Sequence, residues 1–155
     1  MALLIGVGNA DRGDDAAGLV VARRVAAAAP GGVSVTELSG DQSGLLDAWE
    51  GQSEVWVADA VCSGAAPGTV YRFTVSPSTG AAPLGARFSR RGTHALSLAD
   101  VIELARALGR LPGRLVGYGI EGAAFEPGAP LSAAADAAAR AVAREILREL
   151  NAGVR

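Results

Sequence analysis

Two aspartates and a histidine are the side chains of this sequence whose types and positions best suit the binding of a metal ion. Asp15, Asp59 and His94 each lie at the end of a predicted strand or in a loop just before a predicted helix. Because such connections meet at the carboxyl edge of a parallel sheet, we expect the three side chains to converge there. Two carboxylates and an imidazole suit a divalent first-row metal and leave coordination positions open for another molecule. The sequence therefore predicts a metal-binding site formed by these three residues.

The first of these aspartates belongs to a glycine-rich turn, residues 6–15, between a predicted strand and a predicted helix. Such a turn suggests a dinucleotide site, but the G-x-G-x-x-G fingerprint requires a third glycine where this chain has Asp11. Asp14 and Asp15 add two carboxylates at the helix start, which would cancel the attraction of a helix N-terminus for phosphate. The turn therefore favours a cation over a phosphate. The simpler alternative is that Asp14 or Asp15 is the N-cap of the helix.

Other roles for the polar residues stay open. His94 is the only histidine of the chain, and a single histidine is often structural. Cys62 follows the strand that carries Asp59 and could form a thiol dyad with His94, although most single cysteines behave as small hydrophobic residues. A serine hydrolase of the nucleophile-elbow kind requires G-x-S-x-G, and residues 40–44 place Ser43 one position too late. A basic cluster in the predicted loop over 76–92 is either solvated or a contact for an acidic partner: Arg87, Arg90 and Arg91.

The composition indicates a single domain over residues 1–155 and excludes several classes of protein. Half of the residues are hydrophobic, which is enough for a substantial core. The 14 basic and 16 acidic residues are mixed along the chain and give a net charge of -2, so we expect neither nucleic acid nor a membrane as a partner. The single Cys62 excludes an internal disulfide and a multi-cysteine zinc site. Because no secretory signal pattern and no apolar run of ~18 residues occurs, we expect a cytoplasmic protein.

Hydrophobic periodicity predicts alternating strands and helices and therefore an α/β fold. Apolar runs at 2–7 and 54–60 are typical of strands buried on both faces. Alternation over 33–38 predicts a more exposed strand, and the short connection before 69–75 predicts an antiparallel one. A strand is predicted at 114–118, followed by a turn at 119–122. Two helices are predicted at 16–29 and around 45–49. A third helix begins after a capping pattern of Ser97 and Asp100, and a fourth begins after Ser132, its predicted N-cap.

Short motifs follow one another over almost the whole chain: Gly6-Val7-Gly8-Asn9, Asp14-Asp15-Ala16-Ala17-Gly18, Val57-Ala58-Asp59-Ala60, Pro67-Gly68-Thr69, Thr93-His94, Leu98-Ala99-Asp100-Val101, and Gly119-Ile120-Glu121-Gly122 with Leu131-Ser132. Together they resemble the [NiFe]-hydrogenase maturation endopeptidases. The resemblance implies a three-layer α/β/α sandwich around a five-stranded, mostly parallel mixed sheet with one antiparallel strand. It also implies a protease that removes the C-terminal extension of a hydrogenase large-subunit precursor once nickel has been inserted.

The resemblance further implies roles for individual residues. It assigns Asp15, Asp59 and His94 as the catalytic residues and as the ligands of nickel, which the substrate precursor carries. Asp15 occupies a position where family members have Glu or Asp. Family members often carry an Asp-Gly-Gly run after the second strand, whereas residues 39–41 are Ser-Gly-Asp here. The contribution of that aspartate to substrate choice is therefore absent or moved to Asp41.

The function of the nickel has two possible forms. The protein could only recognise the metal, or the metal could act as a Lewis acid on the scissile carbonyl or activate a water, with Asp14 or Asp41 as a base. Two alternatives to a protease also stay open. One is a non-catalytic maturation factor that binds a nickel protein, and the other is a nucleotide-binding α/β domain, which the acidic turn disfavours.

Overall fold

The computed structural model describes residues 2–39, 44–78 and 98–153, along which strands and helices alternate. The strands are β1 Ala2–Val7, β2 Val33–Leu38, β3 Glu54–Val61, β4 Val70–Val75 and β5 Arg114–Glu121. The helices are α1 Ala17–Ala28, α2 Leu45–Ala48, α3 Leu98–Leu108 and α4 Ala133–Gly153, and a 3-10 turn at Gly13–Ala16 precedes α1. None of the helices in these residues is both long enough and apolar enough to cross a membrane.

The five strands form one mixed sheet in the order β2-β1-β3-β5-β4. All neighbouring strands are parallel except β4, which pairs antiparallel with β5. β3 and β5 are buried along nearly their whole length, as expected for strands covered on both faces, whereas β2 and β4 keep exposed positions at the edges. The predicted mostly parallel sheet with one antiparallel strand is confirmed.

Helices cover both faces of this sheet. α1 and α4 pack on one face, where Val21 and Ile146 are fully buried, and α2 and α3 pack on the other, around Leu45 and Ile102. Each face therefore has its own hydrophobic core, and the predicted three-layer α/β/α sandwich is confirmed.

The strand β5 is longer than predicted. We expected it to end at Tyr118 before a turn over 119–122, but Gly119–Glu121 continue the parallel ladder with Asp59–Val61. The predicted turn is wrong because neighbouring strands pair with this segment on both sides, and such pairing overrides the turn preference of glycine. The added residues carry a buried glutamate to the carboxyl edge of the sheet.

The start of α4 agrees with the prediction. Ser132 Oγ accepts a hydrogen bond of 3.2 Å from the N–H of Ala135, which is the contact of an N-cap. The other predicted cap, Ser97, and most of the predicted loop over 76–92 lie outside the described residues.

Candidate active site

Asp15 is held in the tight turn that joins β1 to α1. A Cβ on Gly8 would lie 2.0 Å from the carbonyl oxygen of Asp15, so only glycine permits this approach. The backbone N–H and the side-chain amide of Asn9 both donate to Asp15 Oδ2, over 3.2 and 3.0 Å. Asp15 is only 6% exposed. Its carboxylate is therefore buried and oriented at the end of β1.

Asp59 lies at the same edge of the sheet, near the end of β3. The parallel register of β1 and β3 makes their carboxyl ends neighbours, and the 3-10 turn that contains Asp15 packs against β3. A Cβ on Gly18 would lie 2.3 Å from the carbonyl oxygen of Ala58, so α1 starts directly over this end of the strand. Asp59 is 4% exposed, and its Oδ1 accepts a hydrogen bond of 2.8 Å from the N–H of Ala60. The two predicted ligands thus reach one edge of the sheet, and their binding of a metal stays a prediction.

The side of the sheet that Asp59 faces is the side on which α3 packs. Side chains alternate along β3, and Val57 belongs to the core under α3. Arg106, late in α3, donates a hydrogen bond of 3.3 Å to the backbone just after β4, which ends at the amino edge of the sheet. Leu98 at the other end of α3 therefore lies nearer to the carboxyl edge. His94, four residues earlier in the sequence, lies outside the described residues.

Several other predicted polar residues also lie outside the described residues: Asp41, Ser43, Arg87, Arg90 and Arg91. Within residues 2–39, 44–78 and 98–153, no group of three or more His, Cys, Asp and Glu side chains is arranged to hold a metal ion. Cys62 is partly buried, and because His94 lies outside the described residues, a dyad of the two stays a prediction. The set of Asp15, Asp59 and His94 therefore stays a prediction.

Asp14 has a structural function that the sequence did not predict. Its fully buried carboxylate accepts hydrogen bonds from the N–H groups of Ala123, Ala124 and Ser132, at 2.7, 3.3 and 2.7 Å, and from Ser132 Oγ at 2.8 Å. Burial raises the pKa of this carboxyl, but the hydrogen bonds outweigh burial and hold the pKa below its ordinary value. A carboxylate with four donors and a lowered pKa is a poor general base, so the structure argues against that predicted role.

The simpler alternative, that Asp14 or Asp15 is the N-cap of α1, is wrong. Ala16 is the N-cap of α1 and no side chain caps the helix, because the 3-10 turn places both aspartates before the cap position. Asp14 instead ties the β1–α1 turn to the β5–α4 loop, residues 122–132. Gly122 permits this close packing, since a Cβ there would lie 2.7 Å from the Cβ of Asp14.

Glu121 is a buried carboxylate that was not predicted as a site residue. It ends β5, is 1% exposed, and faces the same side of the sheet as Asp59. Its carboxylate accepts hydrogen bonds from the N–H of Ser63, at 2.9 Å, and from Ser63 Oγ, which also lies 3.2 Å from the hydroxyl of Tyr71. The sequence motif over 119–122 contains Glu121, but we predicted a turn there and did not consider Glu121 a site residue.

Three adjacent parallel strands therefore end beside a buried carboxylate: β1 at Asp15, β3 at Asp59 and β5 at Glu121. Buried carboxylates are stable only with strong donors or with a cation. This edge of the sheet consequently favours cationic ligands and opposes the phosphate that a nucleotide-binding domain would place there. Carboxylates are common ligands of divalent metals, and the binding of a metal by those at this edge stays a prediction.

Comparison with known proteins shows what this architecture is similar to. A family model described as hydrogenase maturation protease, HycI, matches residues 24–149. No curated protein sequence matches the chain significantly. The hydrogenase maturating endopeptidase HybD from E. coli has 24% identity and a TM-score of 0.78, with 99% of this chain and 93% of that chain covered.

Two further solved structures have the same architecture. An endopeptidase from Escherichia coli, solved in solution, has 27% identity and a TM-score of 0.77, with 100% of this chain and 96% of that chain covered. The [NiFe] hydrogenase maturation protease HycI from Thermococcus kodakarensis has 21% identity and a TM-score of 0.69, with 97% and 92% covered. These similarities extend over the whole fold.

Proposed function

The chain belongs to the hydrogenase maturation protease family, and we propose that it is an endopeptidase that removes the C-terminal extension of a nickel-loaded [NiFe]-hydrogenase large-subunit precursor. The family acts on hydrogenase large-subunit precursors in general, and membership in it implies peptidase activity. In this proposal the nickel is part of the substrate, and Asp15, Asp59 and His94 recognise it. The observation that supports the proposal most strongly is the burial of Asp15 and Asp59 at one carboxyl edge.

The two carboxylates suit recognition of a metal that arrives inside another protein. Both are less than a tenth exposed, so a cation that reaches them meets charge that water screens only weakly. Asn9 fixes the orientation of the Asp15 carboxylate, which reduces the reorganisation needed when a ligand binds. The packing of α3 on the face of Asp59 supports adding His94 to the set, because the helix begins toward the same edge.

Hydrolysis requires water to add to the scissile carbonyl, after which the C–N bond breaks and the amine accepts a proton. A metal held by two carboxylates and an imidazole keeps positions open and can polarise that carbonyl or activate the water. Asp14 is engaged by four donors and does not take part in this proton transfer. Asp41 stays the proposed base.

The direct test is a cleavage assay on the purified precursor, prepared with and without nickel and analysed by intact mass. We expect the chain to remove a C-terminal peptide from the nickel-loaded form only. Asp15→Asn, Asp59→Asn and His94→Ala should each lower the cleavage rate by about 100-fold or more, because each removes a ligand. Asp47→Asn is the matched control, since the Asp47 side chain is 89% exposed on α2.

Binding of the precursor separates the two functions of nickel. If nickel is only recognised, Asp59→Asn weakens precursor binding, whereas a catalytic nickel predicts normal binding and loss of the chemical step. An unchanged precursor mass with the wild-type chain and tight, nickel-dependent binding would contradict the protease proposal and support the non-catalytic maturation factor.

A further inference from the structure

Glu121 binds both ends of the loop that joins β3 to β4, residues 62–69. Its carboxylate accepts hydrogen bonds from the N–H and the hydroxyl of Ser63 at the start of the loop. Its carbonyl oxygen accepts a hydrogen bond of 2.8 Å from the N–H of Gly68, and its N–H donates over 2.8 Å to the carbonyl oxygen of Thr69. A single residue of β5 therefore fixes where the loop leaves β3 and where it enters β4.

The charge of Glu121 strengthens its hydrogen bonds with Ser63. In the part of the chain that the structure describes, Glu121 makes no ion pair with Lys or Arg, so Ser63 supplies the donors that compensate the buried carboxylate. Hydrogen bonds to an ionised acceptor are about twice as strong as neutral ones. Rotation of Ser63 away from Glu121 would leave this charge without its donors. The loop is thus held in one position beside the strand that carries Asp59.

The surface of the loop suits contact with a polypeptide. Residues 62–69 contain no charged side chain, and Gly64, Ala66 and Pro67 are exposed. The loop begins three residues after Asp59, at the edge where the nickel of the precursor is proposed to bind. Small neutral residues at such a rim allow an extended backbone to approach closely.

We propose that residues 62–69 contact the precursor polypeptide next to the scissile bond, and that Glu121 is a positioning residue that fixes this loop through Ser63. This inference rests on the proposed protease function. The loop contacts the substrate both before and during the reaction, so its displacement weakens the binding of the substrate and of the transition state equally. Loss of the Glu121 carboxylate therefore affects KM and leaves kcat unchanged.

The test compares Glu121→Gln and Ser63→Ala with Glu126→Gln, which changes an exposed glutamate of the β5–α4 loop. We expect Glu121→Gln to raise KM for the nickel-loaded precursor about tenfold with kcat unchanged. Ser63→Ala adds no atoms and keeps the Ser63 N–H, so it should fold and shift KM in the same direction. Hydrogen exchange of the amides of residues 63 and 68 should accelerate in Glu121→Gln, while exchange in β1 and β3 stays as in the control.

Two results would overturn the inference. Exchange and KM equal to those of Glu126→Gln would show that Glu121 does not position the loop. A lower kcat at unchanged KM, with faster exchange throughout the sheet, would show that Glu121 only stabilises the fold. If the wild-type chain does not cleave the precursor, the proposed function fails independently of this inference. The affinities of the same variants for the precursor then decide the inference.

Discussion

Replacing Asp14 with alanine removes the acceptor of four hydrogen bonds that join the β1–α1 turn to the β5–α4 loop. Three donors are backbone N–H groups, which alanine leaves inside the protein without this acceptor. A hydrogen bond to a charged group contributes about 1.5–3 kcal/mol, and bonds to one carboxylate are not additive, so we expect a loss of about 3–5 kcal/mol. That is a large part of the total stability of a domain, which is about 5–15 kcal/mol.

Urea unfolding followed by circular dichroism measures this loss. With a slope of about 2 kcal/mol per M, the midpoint of Asp14→Ala should fall by about 2 M. Asp47→Ala, which changes an exposed side chain, should leave the midpoint unchanged. If Asp14→Ala does not fold, Ser132→Ala removes one of the four donors and the N-cap contact, and should cost about 1–2 kcal/mol. Stabilities of Asp14→Ala and Ser132→Ala equal to the wild type would refute the reasoning.

The same carboxylate makes stability depend on acid. The pKa of Asp14 is lower in the folded protein than its ordinary value of 3.8, which the unfolded chain keeps. The contribution of Asp14 is therefore complete above pH 3.8 and is lost as the pH falls through the folded pKa. The stability difference between wild type and Asp14→Ala should shrink in that range only. A difference that does not change with pH would show that packing, and not the charge, is responsible.

Two further predictions concern a glycine that packs against the sheet and the pKa of a buried tyrosine. Gly18→Ala places a Cβ 2.3 Å from the carbonyl oxygen of Ala58, and should lower the unfolding temperature sharply, whereas Gly31→Ala, with open space around the Cβ, should not. Equal unfolding temperatures would show that α1 can move away from the sheet. Burial, together with the hydrogen bond to Glu149, raises the pKa of Tyr118 from 10.0 to about 12. Because the folded state favours the neutral phenol, the wild type should lose stability as the pH rises from 10 to about 12, and Tyr118→Phe should not lose this component.

Local patterns in the sequence were sufficient for most of the fold. The strands at 2–7 and 33–38 have the predicted bounds, since each is a short apolar or alternating run closed by turn residues. The antiparallel direction of β4 follows from the shortness of the connection after β3, which cannot contain a crossover. The same reasoning placed Asp15 and Asp59 at one edge, because Asp15 follows β1 and Asp59 lies near the carboxyl end of the parallel strand β3.

The functions of Asp14 and Glu121 depend on contacts that no local pattern contains. The donors to Asp14 lie 109 to 118 residues away in the sequence, in a loop without periodicity. Glu121 accepts from Ser63, 58 residues earlier, and its glycine neighbours indicate a turn unless the pairing on both sides of β5 is known. Propensity and periodicity describe neighbours along the chain, whereas the hydrogen bonds of these two carboxylates come from residues far away in the sequence.

The link between Asp14 and Ser132 also has a consequence for the order in which the protein is made. Asp14 is synthesised before its partners, because the donors that fill its acceptor oxygens follow more than a hundred residues later in the sequence. The strand β5, which lies between β3 and β4 in the sheet, is also the last of the five strands in the sequence. A nascent chain that ends before residue 114 therefore lacks the strand that joins β3 to β4. The acidic edge of the sheet is thus completed only after β5 and Ser132 have been synthesised, and a chain interrupted before them lacks it.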